Sequence, residues 1–395
     1  MHRPLTAILT ALLTASAAVA ATAPVGAAAP HDRAEGAVEA RQAAPRLSVR
    51  AIMTGLDIPW DVTFLPSGAM LVTERDRERI LYRAPNGTRR VVADTPPGVW
   101  HEGETGMMGI VADPRFGRNR HFFTCNGFKN ATTQDVRVML WRLNDTATRA
   151  VRIRPIVTGL PSNLGHHGGC RLRFDRRGAL YIGTGDAGIY TTPQSLHSLG
   201  GKVLRVDRHT GGGLPGNPFP NAADPDKRRI YTYGHRNVQG LAQRPRGLMW
   251  SVEHGPDRDD EVNRLVAGGN YGWDPGPGYD QNVPMTDFTL PGPQVGARWS
   301  SGEPADATSG ASWLRGARWG SWEGRLAVAA LKDSSLRVMQ FSKAGRLVSV
   351  ALPARLNQTY GRLRSPQLGP HGALYITTSN GGGVDKVLRV VPQLP

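Results

Sequence analysis

The stretch Cys170–Gly185, CRLRFDRRGALYIGTG, decides how the whole chain is read. Leu172 and Phe174 alternate with Arg171 and Arg173, Asp175-Arg176-Arg177-Gly178 supplies a turn, and Leu180-Tyr181-Ile182 emerges as a second apolar run. Two β-prone runs flanking an Asp/Gly turn are the signature of a hairpin. The same phrase returns as DVTFLPSGAMLVTE from Asp61, GLAQRPRGLMWSVEHG from Gly240 and SPQLGPHGALYITTSN from Ser365. Looser copies are GIVADPRFGRNRHFFTC from Gly109 and GASWLRGARWGSWEGRLAVAAL from Gly310, which makes six.

Each copy is followed by a third run in which Arg interrupts apolar residues, as in Leu140-Trp141-Arg142-Leu143, Val203-Leu204-Arg205-Val206 and Val387-Leu388-Arg389-Val390. Six hairpins with six further strands predict an all-β fold, a six-bladed β-propeller, since blades of about four strands are the usual repeat unit. The phrase spans residues 46–395 without a break that would mark a second domain. Composition agrees: of 395 residues 48 are Gly and 30 Pro, a density of turn formers that suits many short strands and excludes a helical bundle. At 39% hydrophobic and 20% charged, the chain is a globular rather than a disordered sequence.

The charge balance, 48 Lys and Arg against 32 Asp and Glu, is +16. The basic residues are scattered without a block or a nucleic-acid-binding motif, so the expectation is a basic exported protein that does not bind nucleic acid. Export is read from the N-terminus. Met1-His2-Arg3 is a positive start, Pro4 to Ala20 an apolar run, and Ala18-Val19-Ala20 a small-x-small cleavage pattern, which predicts a signal peptide over 1–20. Residues 21–45 read as an Ala/Pro-rich disordered lead-in, and no stretch is long and apolar enough for a membrane span. Cys125 and Cys170, the two cysteines, are expected to form a disulfide tying neighbouring blades in an oxidising compartment, with two buried thiols as the alternative.

Propellers place chemistry on loops over the central channel, and four loop segments carry suitable residues. In the first, His101–Gly109, Glu104 sits among glycines. The second, Gly165-His166-His167-Gly168-Gly169, offers an imidazole base near neutral pH; adjacent residues of an extended segment face opposite ways, so one histidine should face the channel. The third joins Tyr233-Gly234-His235-Arg236-Asn237 to Glu253–Asn263. Arg236 and Asn237 can present a cation and an amide to one oxygen, and the acidic run after Gly255-Pro256 suits a hard cation held by oxygens. The fourth is basic: Lys332, then Arg362 and Arg364, whose alternate positions point to one side of an extended segment. Solvated surface charge is the competing reading for each.

Together these residues resemble the soluble quinoprotein glucose/sorbosone (aldose sugar) dehydrogenases. The resemblance covers about residues 48–391 and rests on PWDVTFLPSGAMLVTER, GHRNVQGL, EHGPDRDDEVNRLVAGGNYGW and YGRLRS. It implies a secreted enzyme that binds pyrroloquinoline quinone (PQQ) and Ca2+ and oxidises aldose sugars at the anomeric hydroxyl to lactones. Hydride passes to the quinone and electrons to an external acceptor. By position it makes His167 the catalytic base and gives Arg236 and Asn237 to the quinone. Lys332, Arg362 and Arg364 fall to its carboxylates, Gln194 to a further cofactor contact, and the backbone carbonyls of Gly255 and Pro256 to calcium. A second, structural calcium is implied near Tyr279. Glu104 stands where the glucose enzyme has a cofactor-contacting Gln, and a carboxylate there is expected to be protonated or turned away. The alternative to this reading is a non-catalytic propeller that binds carbohydrate or a protein and has lost the quinone.

Overall fold

The computed structural model describes residues 43–393. The expected signal peptide and residues 21–42 of the lead-in lie outside that range. Among the described residues no helix is long and apolar enough to cross a membrane.

Twenty-four strands form six four-stranded antiparallel sheets, the six blades expected. Blade 1 runs from Pro59–Phe64 to Arg89–Ala93, blade 2 from Met107–Ala112 to Ala150–Leu160, and blade 3 from Arg171–Phe174 to Ile230–Tyr233. Blade 4 runs from Val238–Gln243 to Trp299–Ser300, blade 5 from Thr308–Trp313 to Leu347–Ala351. Blade 6 takes three strands from the C-terminus, Leu363–Leu368, Leu374–Thr378 and Asp385–Gln393, and its fourth, Arg46–Leu56, from the N-terminus. That pairing runs antiparallel from Arg46 opposite Gln393 to Leu56 opposite Asp385, so hydrogen bonds close the ring. The first strand of each blade touches the first strand of the next all the way round.

Every copy of the repeated phrase is the first hairpin of a blade. In blade 3 the turn is locked by Asp175, whose Oδ1 accepts from the backbone N–H of Arg177 and Ala179, each at 2.9 Å, while Gly178 adopts φ +84°. The two loose copies are loose because helical turns, Phe116–Asn119 and Ala317–Trp322, lengthen that connection. The second strands Met70–Glu74, Leu180–Gly183, Met249–Glu253, Leu326–Ala330 and Leu374–Thr378 are buried at every residue, covered on both faces by neighbouring blades, which is why they read as continuous apolar runs. Fourth strands are the blade rims: Arg89–Ala93 is mostly exposed and Leu347–Ala351 alternates.

Near the axis the first strands exchange charge. Asp61 of blade 1 pairs with Arg171 at 2.8 Å and Arg173 at 2.9 Å, both from blade 3, and accepts the Ile110 N–H of blade 2 at 3.4 Å. Arg171 is fully buried, stacks over Trp60 at 4.1 Å and donates Nε to the Gln239 carbonyl of blade 4 at 2.7 Å. Burial lowers its guanidinium to about 10, against the opposing pull of Asp61. Burial pushes the Asp61 carboxyl up, but Arg171, Arg173 and the Val62 N–H outweigh it and the net shift is downward.

Asp61→Asn is therefore expected to destabilise the protein by about 3–5 kcal/mol at neutral pH, because two guanidiniums lose their buried counter-charge. A carboxyl whose pKa is lowered on folding contributes stability above its unfolded value and loses it as pH falls through the folded one. Urea denaturation from pH 7 down to pH 3 should thus show a smaller acid loss in Asp61→Asn than in wild type.

Candidate active site

In an antiparallel blade, the start of the first strand and the end of the second lie at the same end of the sheet. The chain thereby gathers all the expected site segments at one end of the ring. Glu104, His167, Arg236-Asn237 and Arg362-Arg364 precede or open the first strands of blades 2, 3, 4 and 6. Gly255-Pro256 and Lys332 follow the second strands of blades 4 and 5. Two further residues arrive by the same rule and were not read from the sequence: Arg75 after the second strand of blade 1, and Asp186 after that of blade 3.

Asp186 is the partner of His167. It is fully buried and lies 2.7 Å from His167 Nδ1 through Oδ1. Its oxygens also accept from Trp273 Nε1 at 2.7 Å, the Tyr279 hydroxyl at 3.0 Å and the Gly188 N–H at 2.8 Å. A carboxylate so engaged accepts from His167, so Nδ1 carries a proton. The Tyr279 oxygen is also 3.0 Å from His167 Nδ1, and burial next to Asp186 raises its phenol. Tyr279, associated above with a second calcium, thus braces the base. His166 is exposed while the His167 side chain is 12% accessible, so one histidine faces inward as expected. The cause is a turn with His167 at φ +43°, not extended alternation.

Across from the base, Arg236 is buried, with Nη2 on Gln281 Oε1 at 2.6 Å, Nη1 on the His254 carbonyl at 3.3 Å and its guanidinium 5.6 Å from the Trp273 ring centre. Its Nε has no partner, nor has the buried Nε2 of half-buried His254. Burial drives the His254 imidazole down to about 3, so it is neutral. Asn237 fixes the pocket: Oδ1 accepts from the Gly169 N–H at 3.1 Å and Gln239 Nε2 at 3.0 Å, and Nδ2 donates to Glu104 at 2.9 Å. That bond holds Glu104 in the pocket. Burial pushes its carboxyl up, but His167, His254, Asn237 and Arg364 hold it below its ordinary value.

Arg362 and Arg364 share Ser379, giving Nε to its carbonyl and to its Oγ, each at 3.1 Å, and Arg364 Nη1 reaches Gln239 at 3.1 Å. Both guanidiniums are lowered, first by burial and then by Arg75, with Glu104 opposing. Lys332 is exposed, its backbone N–H on the Asp306 carbonyl at 2.9 Å. Gln194 stands one layer back, with Nε2 on the Trp273 carbonyl at 2.8 Å and its amide paired to that of Asn270. The Gly255 N–H bonds Asp260 at 3.0 Å, and a Cβ at Gly255 would lie 2.0 Å from the Arg258 carbonyl oxygen, so the turn requires glycine. Among the described residues no cluster of three or more His, Cys, Asp or Glu side chains is arranged for a metal.

The disulfide expected between Cys125 and Cys170 is present, joining the second strand of blade 2 to the residue before the first strand of blade 3. It anchors the segment that carries His167.

An imidazole oriented by a buried carboxylate thus shares one end of the propeller with a buried guanidinium whose Nε is unpartnered. The sequence model of the glucose/sorbosone dehydrogenases matches residues 56–389, and the chain belongs to that family of sugar-oxidising oxidoreductases. It is 29% identical over 363 residues to aldose sugar dehydrogenase YliI of Escherichia coli, covering 88% of this chain and 93% of that protein. With quinoprotein glucose dehydrogenase B of Acinetobacter calcoaceticus it shares 31% over 258 residues, 58% of this chain and 53% of that one. The PQQ-bound aldose sugar dehydrogenase of Streptomyces coelicolor superposes with a TM-score of 0.73 at 29% identity, over 89% of this chain and all of that one.

Because the disulfide closes a loop of 45 residues, its loss should cost about 4 kcal/mol on the chain-entropy account. Calorimetry of a Cys125→Ala/Cys170→Ala variant beside the oxidised protein would measure it.

Proposed function

We propose that the protein is an exported PQQ- and Ca2+-dependent aldose dehydrogenase, which converts the anomeric hydroxyl of its sugar to a lactone and passes electrons to an external acceptor. The observation that carries the reading is the buried, unpartnered Nε–H of Arg236, together with the buried, unpartnered Nε2 of His254, beside the His167–Asp186 dyad. Buried polar atoms of this kind are normally satisfied. An anionic, carbonyl-bearing cofactor would satisfy them, and Arg362 and Arg364, unlike Arg75, which is paired with Asp76, offer positive charge to its carboxylates.

The chain fits such a group. Asn237, pinned through Oδ1, and Arg236, pinned through Nη1 and Nη2, would meet the quinone edge without reorganising. Arg362 and Arg364, with Lys332 at the rim, would hold the carboxylates. The carbonyl oxygens of Gly255 and Pro256 accept no hydrogen bond among the described residues, as oxygens reserved for a hard cation would be. Bound there, PQQ supplies the hydride acceptor and Ca2+ a Lewis acid. His167 takes the hydroxyl proton on Nε2, and Asp186 stabilises the resulting imidazolium through Nδ1–H. Tyr279 and Trp273 fix the Asp186 carboxylate, so the imidazole ring is held in one orientation before substrate arrives.

The test is reconstitution of the mature protein with PQQ and Ca2+. Bleaching of the quinone spectrum on addition of aldoses, with dye reduction, is expected; failure to bind PQQ at any calcium level would move the non-catalytic propeller to first place. His167→Asn should keep PQQ bound and lose at least about 10³-fold in turnover. Asp186→Asn should lower kcat about 10²-fold with KM little changed, as expected when only the orientation of the base is lost.

A further inference from the structure

The same strand geometry that gathers the active site at one end sends the turns between first and second strands, and between third and fourth, to the other. There, a groove of about 710 Å³ lies between blades 3 and 4 and reaches blade 5. Its lining includes seven Lys and Arg side chains against a single acid, Asp175. Asp175 is occupied in capping its own turn. None of the seven cations has a carboxylate within ion-pair distance among the described residues.

Three of them are fixed by neutral oxygens. Arg244 donates to the carbonyls of Ser342 at 2.7 Å and Phe341 at 2.9 Å. Arg264 donates to Ala344 at 3.1 Å, and Arg205 to the Pro215 carbonyl at 3.2 Å and Asn217 at 3.1 Å. These acceptors orient the guanidiniums without neutralising them. Arg176 and Arg246 are exposed at the tips of the flanking turns. The crowding is unfavourable by itself: burial and the neighbouring charge of Arg264 both lower Arg244. Exported proteins usually intersperse both signs on a surface, because like charges held together repel. Here the chain keeps them together in a concavity of small-molecule size.

We propose that this groove is a second binding site, distinct from the catalytic pocket, for a ligand bearing several clustered oxyanions, whether phosphate, sulfate or carboxylate. Pre-oriented guanidiniums with free N–H groups suit bidentate contact to such oxygens. Its place at the far end leaves the sugar and electron-acceptor approach open while it is filled.

The experiment titrates the whole protein with two probes at constant ionic strength, inorganic tripolyphosphate for a free anion and a heparin-derived hexasaccharide for a sugar-borne one. Calorimetric titration and the shift in Tm are the readouts. Saturable binding of either probe is expected, weakening with added salt and weakened at least about tenfold by Arg176→Ala/Arg246→Ala. Sugar oxidation should be unchanged in that variant. The probe that binds identifies the source of the anion. Arg362→Ala, at the catalytic end, should leave probe binding intact. Absence of saturable binding by both probes overturns the proposal, as does binding that survives in the groove variant but is lost in Arg362→Ala.

Discussion

The interaction on which the rest depends is the charge knot around Asp61. A propeller brings first strands together at its axis, where backbone edges and side chains of six blades converge without a continuous sheet to bind them. Here one buried carboxylate from blade 1 engages two guanidiniums from blade 3 and an amide from blade 2, and Arg171 carries the connection to blade 4. Arg364 of blade 6 extends it through Gln239 of blade 4. Trp60 packs against both guanidiniums, with Arg171 at 4.1 Å and Arg364 at 5.4 Å from its ring centre. Taking ionised groups from water is expensive, and a knot of this kind is favourable only while every partner is present. It specifies which blades face each other more than it adds stability.

That knot is also the floor of the active site. Gln239 receives Arg364 on one side and reaches Asn237 on the other, and Asn237 orients Glu104 and the Gly169 backbone two residues from His167. The groups proposed to meet the cofactor are thus attached to the same polar chain that aligns the blades. The Cys125–Cys170 bond adds a covalent anchor from blade 2 just beyond Gly169. Positioning of the base is in this sense a consequence of how the ring is assembled.

The sequence made the inner part of the fold legible and the outer part much less so. First and second strands are buried on both faces, so their composition is dictated by burial and the phrase recurs six times. Fourth strands such as Arg89–Ala93 and Trp299–Ser300 lie at the rim, where solvent tolerates nearly any residue, and carry no comparable pattern. The closing strand Arg46–Leu56 pairs with residues more than three hundred positions away, a contact that local reading cannot supply. At the site, His167, Arg236, Asn237, Arg362 and Arg364 announced themselves through unusual residue types in glycine-rich loops. Asp186 did not, although it too lies in a glycine-rich loop, Gly183-Thr184-Gly185-Asp186-Ala187-Gly188, because a lone loop acid has no distinctive residue type. Its signal was positional: a lone acid immediately after a second strand, at the end of the blade where the other site residues start.

Glu104 shows how far charge can be balanced in such a pocket. An anion facing an anionic guest is costly in a low-dielectric site, and a neutral acid would seem the simpler solution. Burial opposes its ionisation, while the Asn237 amide that donates to it and the Arg364 guanidinium favour it, and the net shift is downward. The same carboxylate raises Arg362 and Arg364 against the mutual repulsion of the arginines. It thereby serves as an internal counter-ion for guanidiniums that would otherwise crowd one another.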